Sequence, residues 1–120
     1  DLTHSQHNLY EKITRKLKVK VQPLEIEKFK RINFNQKYDI ITSFMICFNQ
    51  HKTPELWHID EWEFFLKNIN EFLNENGFLV LSFNAESIED PVDIDLLNHF
   101  IDKGAKVEKT LVTFPKSSLI

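Results

Sequence analysis

Residues 37–50 read KYDIITSFMICFNQ, and residues 60–84 read DEWEFFLKNINEFLNENGFLVLSFN. The first stretch is nearly all apolar over residues 38–48. Such a run fits a strand covered on both faces, as in a parallel sheet. From the residue before the second stretch onward, Ile59, Trp62, Phe65, Leu66, Ile69, Phe72 and Leu73 recur at spacings of three, three, one, three, three and one. That is a helical stripe, and it predicts a helix over 60–74. Asp60 and Glu63 have capping-box spacing. Asn76-Gly77 reads as the helix stop, since glycine accepts the left-handed conformation that closes a helix. Residues 78–83 then read as a second buried strand, which makes the whole a βαβ unit.

The flanks extend the alternation. Leu9, Ile13 and Leu17 form a stripe that predicts a helix over 5–17. Residues 18–21 alternate, with Val19 and Val21 on one face, and predict a short strand that Pro23 ends. Residues 26–36 are polar, with a turn at 33–36. Asp90-Pro91 opens another helix, with Ile94, Leu97, Phe100 and Ile101 as its apolar positions and Gly104 as its end. Residues 106–114 alternate and predict one strand near a sheet edge. The order is helix, strand, strand, helix, strand, helix, strand. It implies a single α/β layer domain over 1–120 with a mainly parallel sheet and right-handed crossovers.

Composition narrows the function classes. The 120 residues are 42% hydrophobic and 28% charged, and eleven Phe and two Trp supply a core. A net charge of -3 argues against nucleic acid as the main partner. The basic residues Lys12, Arg15, Lys16, Lys18 and Lys20 alternate with apolar ones, as on a solvated face. One cysteine excludes an intrachain disulfide and fits a reducing, cytoplasmic setting. No apolar run approaches the roughly 20 residues of a membrane span, and no signal peptide is visible. The first residue is Asp, so the chain reads as a piece beginning inside a longer frame.

Tyr38-Asp39-Ile40-Ile41 is similar to the motif that starts the fourth strand of class I S-adenosylmethionine-dependent methyltransferases. The segment from Leu73 through Asn76-Gly77 to Leu81 resembles the family's junction between helix and fifth strand, with Asn76 replacing the first Gly and Glu75 replacing Pro. The resemblance implies a partial doubly wound, Rossmann-like sheet and S-adenosyl-L-methionine as cofactor. Ligands of such sheets bind at the carboxyl ends of the strands. The resemblance therefore points to cofactor contacts from Leu24 and Glu25, after the short strand, and from Ser43 and Phe44. Asn49, His51 and Asn84 fall on the substrate side. His51 has the pKa range of a proton acceptor. A surface histidine is the commoner state of such a residue in a polar loop, and Asn84 is equally a turn cap. Asp1 falls where the family's ribose-binding carboxylate stands, a role that suits an acceptor of two hydrogen bonds from a diol. It is equally a mobile terminus or a helix cap.

Other groupings say less. His51, His58, Asp60 and Glu61 match no metal signature, and Cys47 lacks an activating arrangement. Trp57, Trp62, Phe64 and Phe65 are candidates for an aromatic wall. Trp62 and Phe65 lie on the apolar stripe and belong to the core, whereas Phe64 is off it and suits a partner surface. In the family a glycine-rich loop holds the cofactor, and its glycines allow close backbone approach. This chain has only Gly77 and Gly104. In the family the first strand also lies beside the fourth, so the strand at Tyr38 is expected to show an open apolar edge suited to self-association. Two functions follow. One is part of a methyltransferase acting on an unidentified acceptor, possibly a small molecule. The other is a non-catalytic methyltransferase-like module for protein–protein contact.

Overall fold

The computed structural model describes residues 4–22, 24–46, 57–83 and 94–119. Its elements are α1 (His4–Lys16), β1 (Tyr38–Ile46), α2 (Ile59–Asn70), β2 (Leu73–Phe83), α3 (Ile94–Asp102), β3 (Lys106–Glu108) and β4 (Leu111–Pro115), ending in a 3-10 turn (Lys116–Ser118). The sheet order is β1-β2-β4-β3. The expected β1–α2–β2 unit is present, with β1 and β2 parallel.

The sheet is mixed, not mainly parallel. The single strand expected over 106–114 is instead a hairpin. Lys109, at φ 56, reverses the chain, so β4 runs antiparallel between β2 and β3. The expected strand at 18–21 is absent. Among the described residues no strand pairs with that segment, and an alternating pattern without a ladder partner cannot satisfy its backbone as a strand. Instead Lys18 takes φ 55 and closes α1, with the Val19 N–H donating to the Thr14 carbonyl (2.9 Å).

α2 is shorter than its stripe. It starts after His58, whose backbone N–H donates to the Glu61 carboxylate (2.9 Å). The capping pair is therefore His58 and Glu61, not Asp60 and Glu63. The helix ends at Asn70, and two residues on the Phe72 carbonyl accepts from the Tyr38 N–H (2.7 Å) as β1 begins. Gly77 is not a helix stop. It lies inside β2, where residues 74–77 bulge past Asp39 between the Tyr38–Leu73 and Ile40–Phe78 pairs. A Cβ at Gly77 would stand 2.9 Å from the Asn74 carbonyl oxygen and 3.0 Å from that of Asp39. Gly104 does close α3, at φ 107.

One face of the sheet is covered. Leu79, Leu81, Phe83, Val112 and Phe114 are buried there beneath Trp62, Phe65, Leu66 and Ile69 of α2 and Leu96 and Phe100 of α3. Trp62 packs on Phe83 (5.6 Å between ring centres) and Phe100 (5.4 Å), and Phe100 packs on Phe114 (5.2 Å). The opposite face lacks the helices of a doubly wound fold among the described residues. Ile40 and Phe44 are each 61% exposed on it, and Phe78 and Leu111 are exposed beside them. β1 is thus covered on one face, not two, and it is an edge strand.

The segment before β1 is tied to α2. Asn68, 3% exposed, accepts from the Ile32 N–H (2.7 Å) and donates to the Ile32 carbonyl (3.0 Å). It pairs with that backbone as a strand would. Arg31 reaches both Glu71 carboxylate oxygens, Lys28 lies 4.0 Å from Glu61, and Phe29 meets Phe64 edge-on at 5.8 Å. Phe64 is therefore half-buried against Phe29.

Candidate functional site at the carboxyl edge of the sheet

The Tyr38–Phe72 hydrogen bond fixes the carboxyl end of α2 at the amino edge of the sheet, so α2 begins at the carboxyl edge. α3, which follows β2, also begins there. Their first turns border an open cavity of about 320 Å³ lined by Trp57, His58, Ile59, Asp60, Asp95 and Leu96. This is where open α/β sheets place ligands.

Each wall has a physical origin. Trp57 is held edge-on by Trp62 (5.2 Å) and Phe65 (5.7 Å), which are themselves core. The carboxylates of Asp60 and Asp95 stand in first helical turns, where the positive ends of the helix dipoles favour negative charge. Glu61, just inside, is buried. Burial pushes its carboxyl up, but its own backbone N–H, that of His58 and the nearby Lys28 outweigh this and hold it below the usual range.

One turn deeper, α2 and α3 are joined by Glu63. It accepts from the His99 ring (Nε2, 2.8 Å) and from the Lys103 ammonium (2.9 Å). Burial raises the Glu63 carboxyl, and these two partners outweigh it and lower it overall. The mouth of the seam between the helices thus carries an aromatic wall and two carboxylates, and Glu63 ties the two helices together outside the cavity. The mouth suits a small polar molecule with an aromatic or cationic portion.

Of the residues singled out from sequence, Asp1, Asn49, His51, Asn84 and Cys47 lie outside the described residues. Leu24 and Glu25 share a cavity of about 200 Å³ with Arg31 and Ile32. Leu24 also lines one of about 410 Å³ that reaches Tyr38, at the amino end of β1. Ser43 is half-buried on the covered face, and Phe44 is on the open face. Tyr38 and Ser43 are five residues apart along an extended strand, about 16 Å. The cavities at Leu24 include neither Ser43 nor Phe44. Among the described residues, the two cavities that Leu24 lines are thus separate from Ser43 and Phe44.

Of the residues considered for an aromatic wall, Trp57 lines the carboxyl-edge cavity, while Trp62 and Phe65 are core. Asp95 and Leu96 were missed, although the rule that directs attention to loops after strands applies equally to the helices those loops lead into. Among the described residues no group of three or more His, Cys, Asp or Glu is placed to hold a metal ion, and no helix is long and apolar enough to cross a membrane.

No family model matches the chain, and no curated protein matches it. Among solved structures it is similar to an O-methyltransferase from the trans-AT PKS multienzyme of Brevibacillus brevis in complex with S-adenosyl-L-homocysteine, at 20% identity and a TM-score of 0.42. The match covers 78% of this chain and 29% of that one, so the chain spans less than a third of that enzyme's length.

Proposed function

We propose that this chain is part of a class I S-adenosylmethionine-dependent methyltransferase and contributes the acceptor side of its site. The observation that carries this is the parallel β1–α2–β2 unit. It is built from the segments whose wording resembles that family, and it has a cavity at its carboxyl edge. In such a reaction the cofactor's sulfonium supplies the reactive methyl group. The protein supplies proximity and orientation. On this reading Trp57 and Leu96 orient an acceptor, and Asp60 binds its polar or cationic end.

The described residues do not by themselves make a cofactor cradle. Gly77 and Gly104 are spent on a bulge and a helix end, and Leu24 and Glu25 do not share a space with Ser43 and Phe44. No transfer step is therefore assigned to this chain alone. Calorimetric titration of the 120-residue chain with S-adenosyl-L-homocysteine is expected to show no micromolar binding, and micromolar affinity would refute the incomplete cradle. The coding DNA upstream of Asp1 tests the wider reading. A strand, a Gly-x-Gly turn, a helix and a strand ending at Asp1 would support it, and unrelated sequence would overturn it. The second reading, a non-catalytic interaction module, is favoured by the apolar sheet face left uncovered by α2 and α3.

A further inference from the structure

A cavity of about 410 Å³ lies at the amino edge of the sheet, where the chain before β1 passes Tyr38. That volume falls within the roughly 300–1,000 Å³ of small-molecule sites. Its half-buried part is aromatic. Phe34 meets Tyr38 edge-on (5.8 Å between ring centres) and Phe72 edge-on (5.2 Å), so its ring is held from two sides. Val21 and Leu24 add aliphatic surface. The exposed part is polar, with Lys20, Gln22, Asn35 and Gln36. Among the described residues none of these four side chains, nor the Tyr38 hydroxyl, has a hydrogen-bond or ion-pair partner.

The charge of the lining has one sign. Lys20 is its single ionised side chain among the described residues. The cations further along the same segment are compensated: Lys28 lies 4.0 Å from Glu61, Lys30 lies 3.3 Å from Glu27, and Arg31 is held by Glu71. Asp39, next to Tyr38 on β1, already accepts from the Asn74 amide (2.8 Å). Lys20 therefore faces the cavity's polar groups with no carboxylate assigned to it.

We propose that this cavity binds a small aromatic carboxylate. One uncompensated ammonium matches one negative charge, which a carboxylate carries, whereas a phosphate monoester carries nearly two at neutral pH. A carboxylate has about four lone-pair sites. Lys20 takes part of them in a charge-assisted bond, and the amide N–H groups of Gln22, Asn35 and Gln36 take others. The corner made by Phe34 and Tyr38 offers the ring of such a ligand an offset or edge-to-face partner. The site stands at the opposite edge of the sheet from the cavity of Trp57 and Asp60, and it does not depend on the methyltransferase reading.

Proton–nitrogen correlation spectra of the 120-residue chain, titrated with phenylacetate, test the proposal. The side-chain amide signals of Gln22, Asn35 and Gln36 are expected to shift together and half-saturate at about 1 mM, as suits a ligand of this size in an open site. Phenylacetamide has the same shape without the charge and should bind about tenfold more weakly. Lys20→Met keeps the apolar stem and removes the ammonium. Because Lys20 is exposed, the variant should fold as the parent does and lose the same tenfold. Absence of shifts at the three amides would overturn the proposal. So would shifts centred on Trp57 and Leu96, equal binding of phenylacetamide, or a Lys20→Met variant that binds phenylacetate as the parent does.

Discussion

Replacing Gly77 with alanine tests why a glycine stands in the middle of β2. The added Cβ would lie 2.9 Å from the Asn74 carbonyl oxygen, 3.0 Å from that of Asp39 and 3.3 Å from the Asn74 nitrogen. All three are backbone atoms, so no side chain can swing away. Relief must come from opening the bulge against β1, where the Asn74 amide also donates to the Asp39 carboxylate (2.8 Å). Overpacking of this kind costs about 1–3 kcal/mol. Alanine also narrows the unfolded ensemble, which returns about 0.4–1 kcal/mol. The net loss is then about 1–2 kcal/mol, or roughly 1 M in urea midpoint at a slope near 1.5 kcal/mol/M. Gly77→Asn separates crowding from helix closure. A left-handed helix end tolerates asparagine better than alanine, whereas a crowded bulge tolerates it worse. Urea unfolding followed by circular dichroism should rank glycine above alanine above asparagine. Asparagine ranking above alanine, or alanine matching glycine, would refute the crowding account.

Two further perturbations follow from the ties of α2. Asn68→Ala leaves the buried N–H and carbonyl of Ile32 without partners, at about 1–3 kcal/mol each; amide hydrogen exchange at Ile32 should accelerate well beyond that of the β2 core, and unchanged protection would refute the clamp. The lowered Glu63 carboxyl contributes stability that is present above its unfolded pKa and lost as pH falls through its lower folded value. Glu63→Gln should therefore flatten the acid side of the urea-midpoint profile, by no more than about 1 kcal/mol for so exposed a pair, and a variant profile parallel to wild type would count against the bridge to His99 and Lys103.

The parts legible in the sequence are those whose cause is local. The α2 stripe is read correctly because Trp62, Phe65, Leu66 and Ile69 must all face one sheet, and β2 because Leu79, Leu81 and Phe83 must do the same. The misread parts depend on a distant partner. Asn76-Gly77 looks like a helix stop, but the helix has already ended at Asn70, and the chain is pairing with β1 from Leu73 on. The glycine then answers to the backbone of Asp39 on another strand. The hairpin at Lys109 is silent in sequence because a lysine occupies the positive-φ turn position where glycine or asparagine is usual. Residues 18–21 show the reverse: their alternation is real, but a strand is defined by its neighbour, and among the described residues none pairs with them. The same division governs the site. Trp57 could be noticed as an aromatic beside a helix start, whereas Asp95 becomes meaningful only once the core contacts of Phe100 with Trp62 and Phe83 set α3 beside α2. A cavity made of two first turns belongs to the packing of those helices, so its residues are found by asking which helices share a sheet face, not by searching for a motif.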